Sequence, residues 1–226
     1  MTLPVAILAG GLATRLNPLT VSVPKSMLPV KDEPFIAHQL RLLQRKGAQR
    51  VVLCTGHLGE QIEDFVKDGS RFGLAVNYSR DGGQLLGTGG ALRKATPLLG
   101  DAFLVIYGDS YLDCDYQAIE KAFLASRRDA LMTVFRNQGQ WDASNVQFEN
   151  GRILRYSKTD RIPEMAHIDY GLGAIRTRAL QRVPADLACF YAQLLAQNQL
   201  GAYEVRERFY EIGSFAGIRE LEEVFK

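Results

Sequence analysis

Apolar residues along this chain come in short blocks that alternate between two periods. Residues 4–8 (PVAIL) are an apolar run of the kind buried on both faces of a parallel sheet, 102–107 (AFLVIY) read as a fully buried central strand, and 50–55 (RVVLCT) and 130–135 (ALMTVF) read as further strands. Elsewhere the spacing opens to three and four. Residues 35–46 carry Ile36, Leu40 and Leu43 before Gly47, and residues 58–67 carry Ile62, Phe65 and Val66 before the Asp68-Gly69 break, so both read as amphipathic helices. Residues 74–78 alternate in part and read as a strand; 89–99 and 116–127 read as helices, the first entered through a glycine turn. Past Gln140 the rhythm changes. Residues 145–149 and 152–156 flank Asn150-Gly151, the strongest hairpin signal in the chain. Further strands are expected at 171–175 and 208–212, and helices at 190–197 and 215–225. Strand alternating with helix through the first half predicts an α/β fold with a doubly wound, mostly parallel sheet, interrupted by an antiparallel hairpin excursion in the second half.

The long loop leaving the first strand carries the chemistry. In residues 8–30 (LAGGLATRLNPLTVSVPKSMLPV), Ala9, Gly10 and Gly11 fall just past a strand's carboxyl end, where open α/β sheets bind ligands. Two adjacent glycines let backbone N–H groups turn toward an anion with no Cβ in the way. Arg15 adds a planar fork and Lys25 a compact ammonium, so the loop suits polyphosphate. A dinucleotide-dependent oxidoreductase also begins with strand, glycines and helix. It requires G-x-G-x-x-G capping the helix directly and an acid about 20 residues on. Here the glycines are adjacent and the loop runs on through Pro18 and Pro24, which argues against that class.

Composition narrows the partners. At 226 residues, 46% hydrophobic and 23% charged, the chain suits one sizeable core, residues 1–226, and is short for two. Twenty-seven Lys and Arg against 25 Asp and Glu leave a formal charge of +2 with no long single-sign run, so neither nucleic acid nor an anionic membrane is the expected partner. Cys54, Cys114 and Cys189 are far apart and odd in number, suggesting neither a disulfide framework nor a zinc site, and a reducing, cytoplasmic setting fits. The apolar N-terminal stretch is too short for a signal-peptide core and lacks a basic lead. Oligomeric state, monomer or homodimer, is open.

The glycine loop resembles the signature of the sugar-1-phosphate nucleotidyltransferases, roughly G-G-x-x-T-R-L-x-P-L-T-x-x-x-P-K-P-x-[LV]-P-[VI]. Gly10, Gly11, Thr14, Arg15, Leu16, Pro18, Leu19, Thr20, Pro24, Lys25, Pro29 and Val30 match at its spacing, and Ser26 stands where many members have proline. The resemblance implies a Rossmann-like fold whose loop arginine and lysine, here Arg15 and Lys25, are catalytic, with Leu8, Ala9, Gly10, Gly11 and Thr14 around the nucleotide. Residues 86–91 (LGTGGA) resemble the family's base-holding element, which adds Gly87, Thr88 and Gly89; Gln84-Leu85 replaces the usual Glu-Pro before it, so Gln84 joins the nucleotide-binding set.

Two carboxylates are the expected magnesium ligands. Asp109 follows the most apolar strand and matches the family's G-D element, although an aspartate there also serves as a turn former. Glu211 in residues 209–214 (FYEIGS) stands where a W-x-D-x-G-T element has aspartate, and a structural carboxylate at a strand end is the alternative. On the acceptor side the resemblance implies Lys158 for the sugar phosphate, with Asn145, Asp169, Tyr170 and Gly171 near the sugar; a lysine after a hairpin is also commonly solvated surface.

The implied reaction joins a nucleoside monophosphate unit from a triphosphate to a sugar 1-phosphate and releases pyrophosphate. Compact members of this size resemble heptose 1-phosphate guanylyltransferases and N-acetylmuramate 1-phosphate uridylyltransferases. The LGTGGA run points first to GTP with a heptose or hexose 1-phosphate, the alternative being a uridylyl- or thymidylyltransferase acting on a hexose or amino-sugar 1-phosphate. A sensor that kept the pocket and lost turnover is the reading from another class, which the Glu211 departure admits.

Overall fold

The structure, a computed structural model, describes residues 1–11, 21–182 and 184–225. Strand β1 (Val5–Ala9) enters the glycine loop, and the described chain resumes before the 3-10 turn Lys25–Met27 and the small ladder of β2 (Pro29–Val30) with β3 (Glu33–Pro34). Helix α1 (Phe35–Arg45), β4 (Arg50–Thr55), α2 (Gly59–Val66), β5 (Ala75–Arg80), α3 (Gly87–Leu99) and β6 (Ala102–Tyr107) follow in alternation. The strands order as β6-β1-β4-β5, and each neighbouring pair is parallel. The chain therefore starts in the middle, builds outward on one side, then crosses back to lay β6 on the other side of β1. That reversal is a topological switch point, which leaves a crevice beyond the strand ends.

The period-two pattern of the apolar runs divides the core between the two sheet faces. Val5, Ile7, Val51, Leu53, Leu104 and Ile106 pack with α1 and α2. Ala6, Val52, Cys54, Phe103 and Val105 pack on the opposite face with Ala91, Leu92, Ala95 and Leu99 of α3. Both faces are covered, which is why these strands read as continuous apolar runs rather than alternating ones. Each fully buried Leu or Ile contributes about 1.5–3 kcal/mol of transfer free energy.

After β6 come the two-residue β7 (Ser110–Tyr111), α4 (Tyr116–Ser126) and β8 (Ala130–Arg136), then the hairpin β9 (Val146–Glu149) and β10 (Arg152–Tyr156), which turns at Asn150-Gly151 as the sequence predicts. Strand β11 (His167–Arg176) runs antiparallel to both β6 and β8. It reaches four residues further back than the expected 171–175. Helix α5 (Leu187–Ala196) begins three residues before the expected 190, because the Asp186 carboxylate accepts the N–H groups of Ala188 (2.6 Å) and Cys189 (3.2 Å) and caps it there.

The C-terminal part differs most from the sequence reading. Leu200–Val205 forms β12, parallel to β8, where no strand is predicted; its pattern, LGAYEV, has a glycine second, and its partner lies some seventy residues earlier. The strand expected at 208–212 shrinks to β13 (Tyr210–Glu211), which pairs antiparallel with β7, off the main sheet. Helix α6 (Phe215–Val224) then lays Leu221 against Leu28, Val30, Phe35, Leu42 and Ile212, tying the C-terminus to the segment that carries Lys25.

The N-terminus is anchored by a buried charge. The Glu120 carboxylate accepts the backbone N–H groups of Thr2 (2.8 Å) and Leu3 (3.0 Å) and the Thr2 hydroxyl. Glu120→Ala would strand those donors beside β1, and we expect it to cost about 1–3 kcal/mol, read as a lower denaturant midpoint at an unchanged slope.

Candidate active site

A cleft of about 320 Å³ opens at the switch point. Its lining runs from Leu8, Ala9, Gly10 and Gly11 at the end of β1, through Cys54 of β4 and the 81–91 segment, to Tyr107, Gly108 and Asp109 at the end of β6, with Lys25 and Ser26 closing one side. The β1–β6 register pairs Leu8 with Tyr107, so the two strands finish level and their following turns face each other. Gly108 N–H donates to Leu8 O at 2.9 Å, and a Cβ on Gly108 would stand 2.9 Å from that same oxygen. Only glycine permits this approach.

The turn carrying Asp109 is held from three sides. Buried Gln39 on α1 donates its amide N–H groups to Tyr107 O (2.8 Å) and Ser110 O (2.7 Å). From the end of β13, Ile212 N–H donates to Asp109 O at 3.0 Å. The side chain then meets Lys25, whose ammonium forms an ion pair with Asp109 Oδ2. Glu211 lies opposite Ser110 in the β7–β13 ladder, and a Cβ on Gly213 would come within 3.5 Å of Lys25 Nζ. The short C-terminal strand thus brings the second carboxylate's backbone alongside the turn that carries the first. Ser26, the departure from proline, is buried, and its hydroxyl has no hydrogen-bond partner among the described residues.

A second cation and carboxylate stand near Tyr107. Lys158 Nζ lies 5.8 Å from the Tyr107 ring centre. Asp169 accepts hydrogen bonds from the Tyr156 hydroxyl (3.2 Å) and Gly171 N–H (3.1 Å), while Asp169 N–H donates to Asn145 Oδ1 at 2.9 Å. Burial pushes the Asp169 carboxyl up, and Lys158 pulls it back down. Gly171, at φ +91°, sits where the β11–β8 register slips, a bulge that sets the backbone beside Tyr107. The Tyr107 phenol is raised well above its ordinary value, first by burial and then by Asp169, Asp186, Asp109 and Glu211 around it.

The site residues expected from sequence therefore fall into groups. Leu8, Ala9, Gly10, Gly11, Lys25, Gly87, Thr88 and Asp109 line the cleft. Asn145, Lys158, Asp169 and Gly171 gather beside Tyr107. Arg15 and Thr14 lie outside the described residues. Gln84 is exposed and outside the lining, and buried Gly89 donates its N–H to Ala185 O at 2.7 Å. The Thr88 hydroxyl accepts Leu187 N–H at 2.8 Å, so it ties α3 to α5. Tyr170 points away from Asp169 and Lys158. Strand alternation turns its ring to the opposite face, where it packs on Phe135 and Phe209.

Sequence reasoning missed Gln39, Cys54, Asp81 and Tyr107. Gln39 had a findable signal, a polar residue between the apolar positions of a helix; the others look like strand ends. No group of three His, Cys, Asp or Glu side chains is poised for a metal among the described residues. No helix among them is long and apolar enough to cross a membrane.

A family model described as nucleotidyl transferase matches residues 5–144. The chain is 41% identical over 113 residues to an N-acetylmuramate alpha-1-phosphate uridylyltransferase of Neisseria meningitidis, covering 50% of this chain and 49% of that one. It is 32% identical over 114 residues to a D-glycero-alpha-D-manno-heptose 1-phosphate guanylyltransferase of Campylobacter jejuni, covering 50% and 51%. The chain thus spans about half the length of these curated relatives. The crystal structure of HddC from Yersinia pseudotuberculosis superposes with a TM-score of 0.83 at 22% identity, over 100% of both chains.

Burial, followed by the Asp81 charge, pushes the Cys54 thiol up to about 12, whereas Cys189 is exposed. Since the thiolate is the reactive form, a neutral-pH maleimide should label Cys189 first and leave Cys54 largely unmodified, read by peptide mass mapping.

Proposed function

The chain belongs to the nucleotidyl transferase family, and we propose that it transfers a nucleoside monophosphate from a nucleoside triphosphate to a sugar 1-phosphate, giving a nucleoside diphosphate sugar and pyrophosphate. The observation that carries this reading is that two lysines border Tyr107: Lys25, paired with Asp109, lines the cleft with it, and Lys158, beside Asp169, lies 5.8 Å from its ring centre. A reaction between two phosphates needs two cationic points facing a common centre. A site for one phosphate chain would need only the first.

The acceptor phosphate is already ionised at neutral pH, so the protein has little proton transfer to perform. Its contribution is positioning and charge neutralisation. Backbone N–H groups of the Gly10-Gly11 turn receive the triphosphate, assisted by Arg15. Lys25 sits at the reacting centre, where an ammonium offsets charge on the phosphoryl group under attack. Lys158 holds the acceptor phosphate, and Asp169 and Asn145 meet sugar hydroxyls of a heptose or hexose.

Magnesium is the proposed cofactor. Asp109 and Glu211 offer two hard oxygen donors, one beside β7 and one on its partner β13, which fits an ion that takes one or two carboxylates and fills its remaining positions with phosphate oxygens and water. When bound, the ion would supply further neutralisation of the triphosphate. Two buried free thiols, Cys54 and Cys114, support a reducing, cytoplasmic setting.

The test is pyrophosphate release across common triphosphates and hexose, amino-sugar and heptose 1-phosphates, with magnesium present. At least one pairing should turn over. In that pairing, Lys25→Ala and Asp109→Asn should each lower kcat by about 100-fold or more with an unchanged far-ultraviolet spectrum. Near-normal rates in both variants, or no release from any pairing, would remove the reading.

A further inference from the structure

An unpaired hydroxyl is built into the cleft wall. Ser26 is 3% exposed, and its Oγ has no hydrogen-bond partner among the described residues. Gln39 Oε1, Tyr170 Oη and Arg208 Nε share that condition, yet none of those three residues lines the cleft, whereas Ser26 does. A buried polar atom without a partner lowers stability and calls for a reason. In the wall of a ligand site, the reason is a contact that the ligand completes.

The backbone around it is fixed. Met27 N–H donates to Pro24 O at 2.8 Å and Leu28 N–H to Lys25 O at 3.0 Å, which closes the 3-10 turn Lys25–Met27. Leu28 and Val30 then anchor the exit of the turn in the core with Leu221. One rigid turn therefore presents both Lys25 and Ser26 to the cleft. The hydroxyl keeps a single freedom, rotation about χ1 between staggered positions.

Its neighbours decide which partner it takes. Lys25, at the preceding position, brings an ammonium to the same cleft, and the Asp109 carboxylate is already paired with that ammonium. A ligand atom drawn to an ammonium is an anionic acceptor, and a hydroxyl beside it meets that atom by donating. We propose that Ser26 is a phosphate-binding residue, its hydroxyl donating to a non-bridging oxygen of the bound triphosphate next to the charge that Lys25 offsets. Ser26 stands where many members of the family have proline, which has no side-chain donor, so the contact belongs to this chain in particular. The proposal rests on the nucleotidyltransferase reading for the ligand being a triphosphate, and it adds a residue that touches it.

Removing the hydroxyl should separate binding from folding. In Ser26→Ala the free protein should keep an equal or higher urea midpoint, since no internal hydrogen bond is lost. Calorimetric titration of the intact protein with GTP, UTP or inorganic tripolyphosphate, each with magnesium, should give about 10-fold weaker binding of every probe in the variant, the effect of one hydrogen bond to a charged group. The ratio of GTP to UTP affinity should stay at its wild-type value, because the hydroxyl meets phosphate and not base. Unchanged affinity for all three probes, a loss confined to one nucleotide, or a lower urea midpoint each overturns the proposal; the last would show that Oγ has a partner inside the free protein. Failure of the transfer reaction alone would leave the tripolyphosphate difference in place and show as binding without pyrophosphate release.

Discussion

The level finish of β1 and β6 governs the rest of this molecule. Their parallel register pairs Leu8 with Tyr107, and Gly108 N–H closes onto Leu8 O, so two turns leave neighbouring strands side by side. One turn is the glycine loop and the other carries Asp109. A slip of one residue would flip Asp109 to the other face of the sheet, away from Lys25. Several hydrogen bonds oppose that slip, including two from a buried glutamine on α1 and one from the end of β13.

Tyr107 joins the two halves of the space that this register creates. Its ring borders both the cleft, where Lys25 and Asp109 pair, and the neighbouring group of Lys158 and Asp169. Burial and the surrounding carboxylates push the phenol well above its ordinary value, so it stays neutral. The group around Asp169 depends on the bulge at Gly171, which offers backbone and no side chain to the ring. Without that bulge a regular β11 would carry its pairing with β8 straight through, and the Asp169 turn would lose its shape.

The C-terminal segment completes the site from outside the sheet. Strand β13 is two residues long, yet it sets Glu211 opposite Ser110 and leads to Gly213 beside Lys25. Packing of α6 on β2 and α1 holds it there, through Leu221 and Ile212. This C-terminal segment therefore supports the turn that carries Lys25.

Much of this was legible in the residues. Apolar runs buried on both faces declared the parallel strands, Asn150-Gly151 declared the hairpin, and the spacing of glycines, Arg15, Lys25 and Asp109 declared a family, because those signals are local or depend on fixed spacing. β12 was not legible, since its partner β8 lies far along the chain and the burial that makes it a strand exists only once they meet. Nor was the direction of Tyr170, which strand alternation decides only after β11's start is known. Asp81 reads as an ordinary aspartate after a strand; what makes it a cleft residue is the ordering of four strands, which brings its position to the same rim as Lys25 and Asp109. The chain by itself determined which groups were available, and tertiary pairing decided which of them face one another, because only closure of distant strands into one sheet converts separation along the chain into proximity in space.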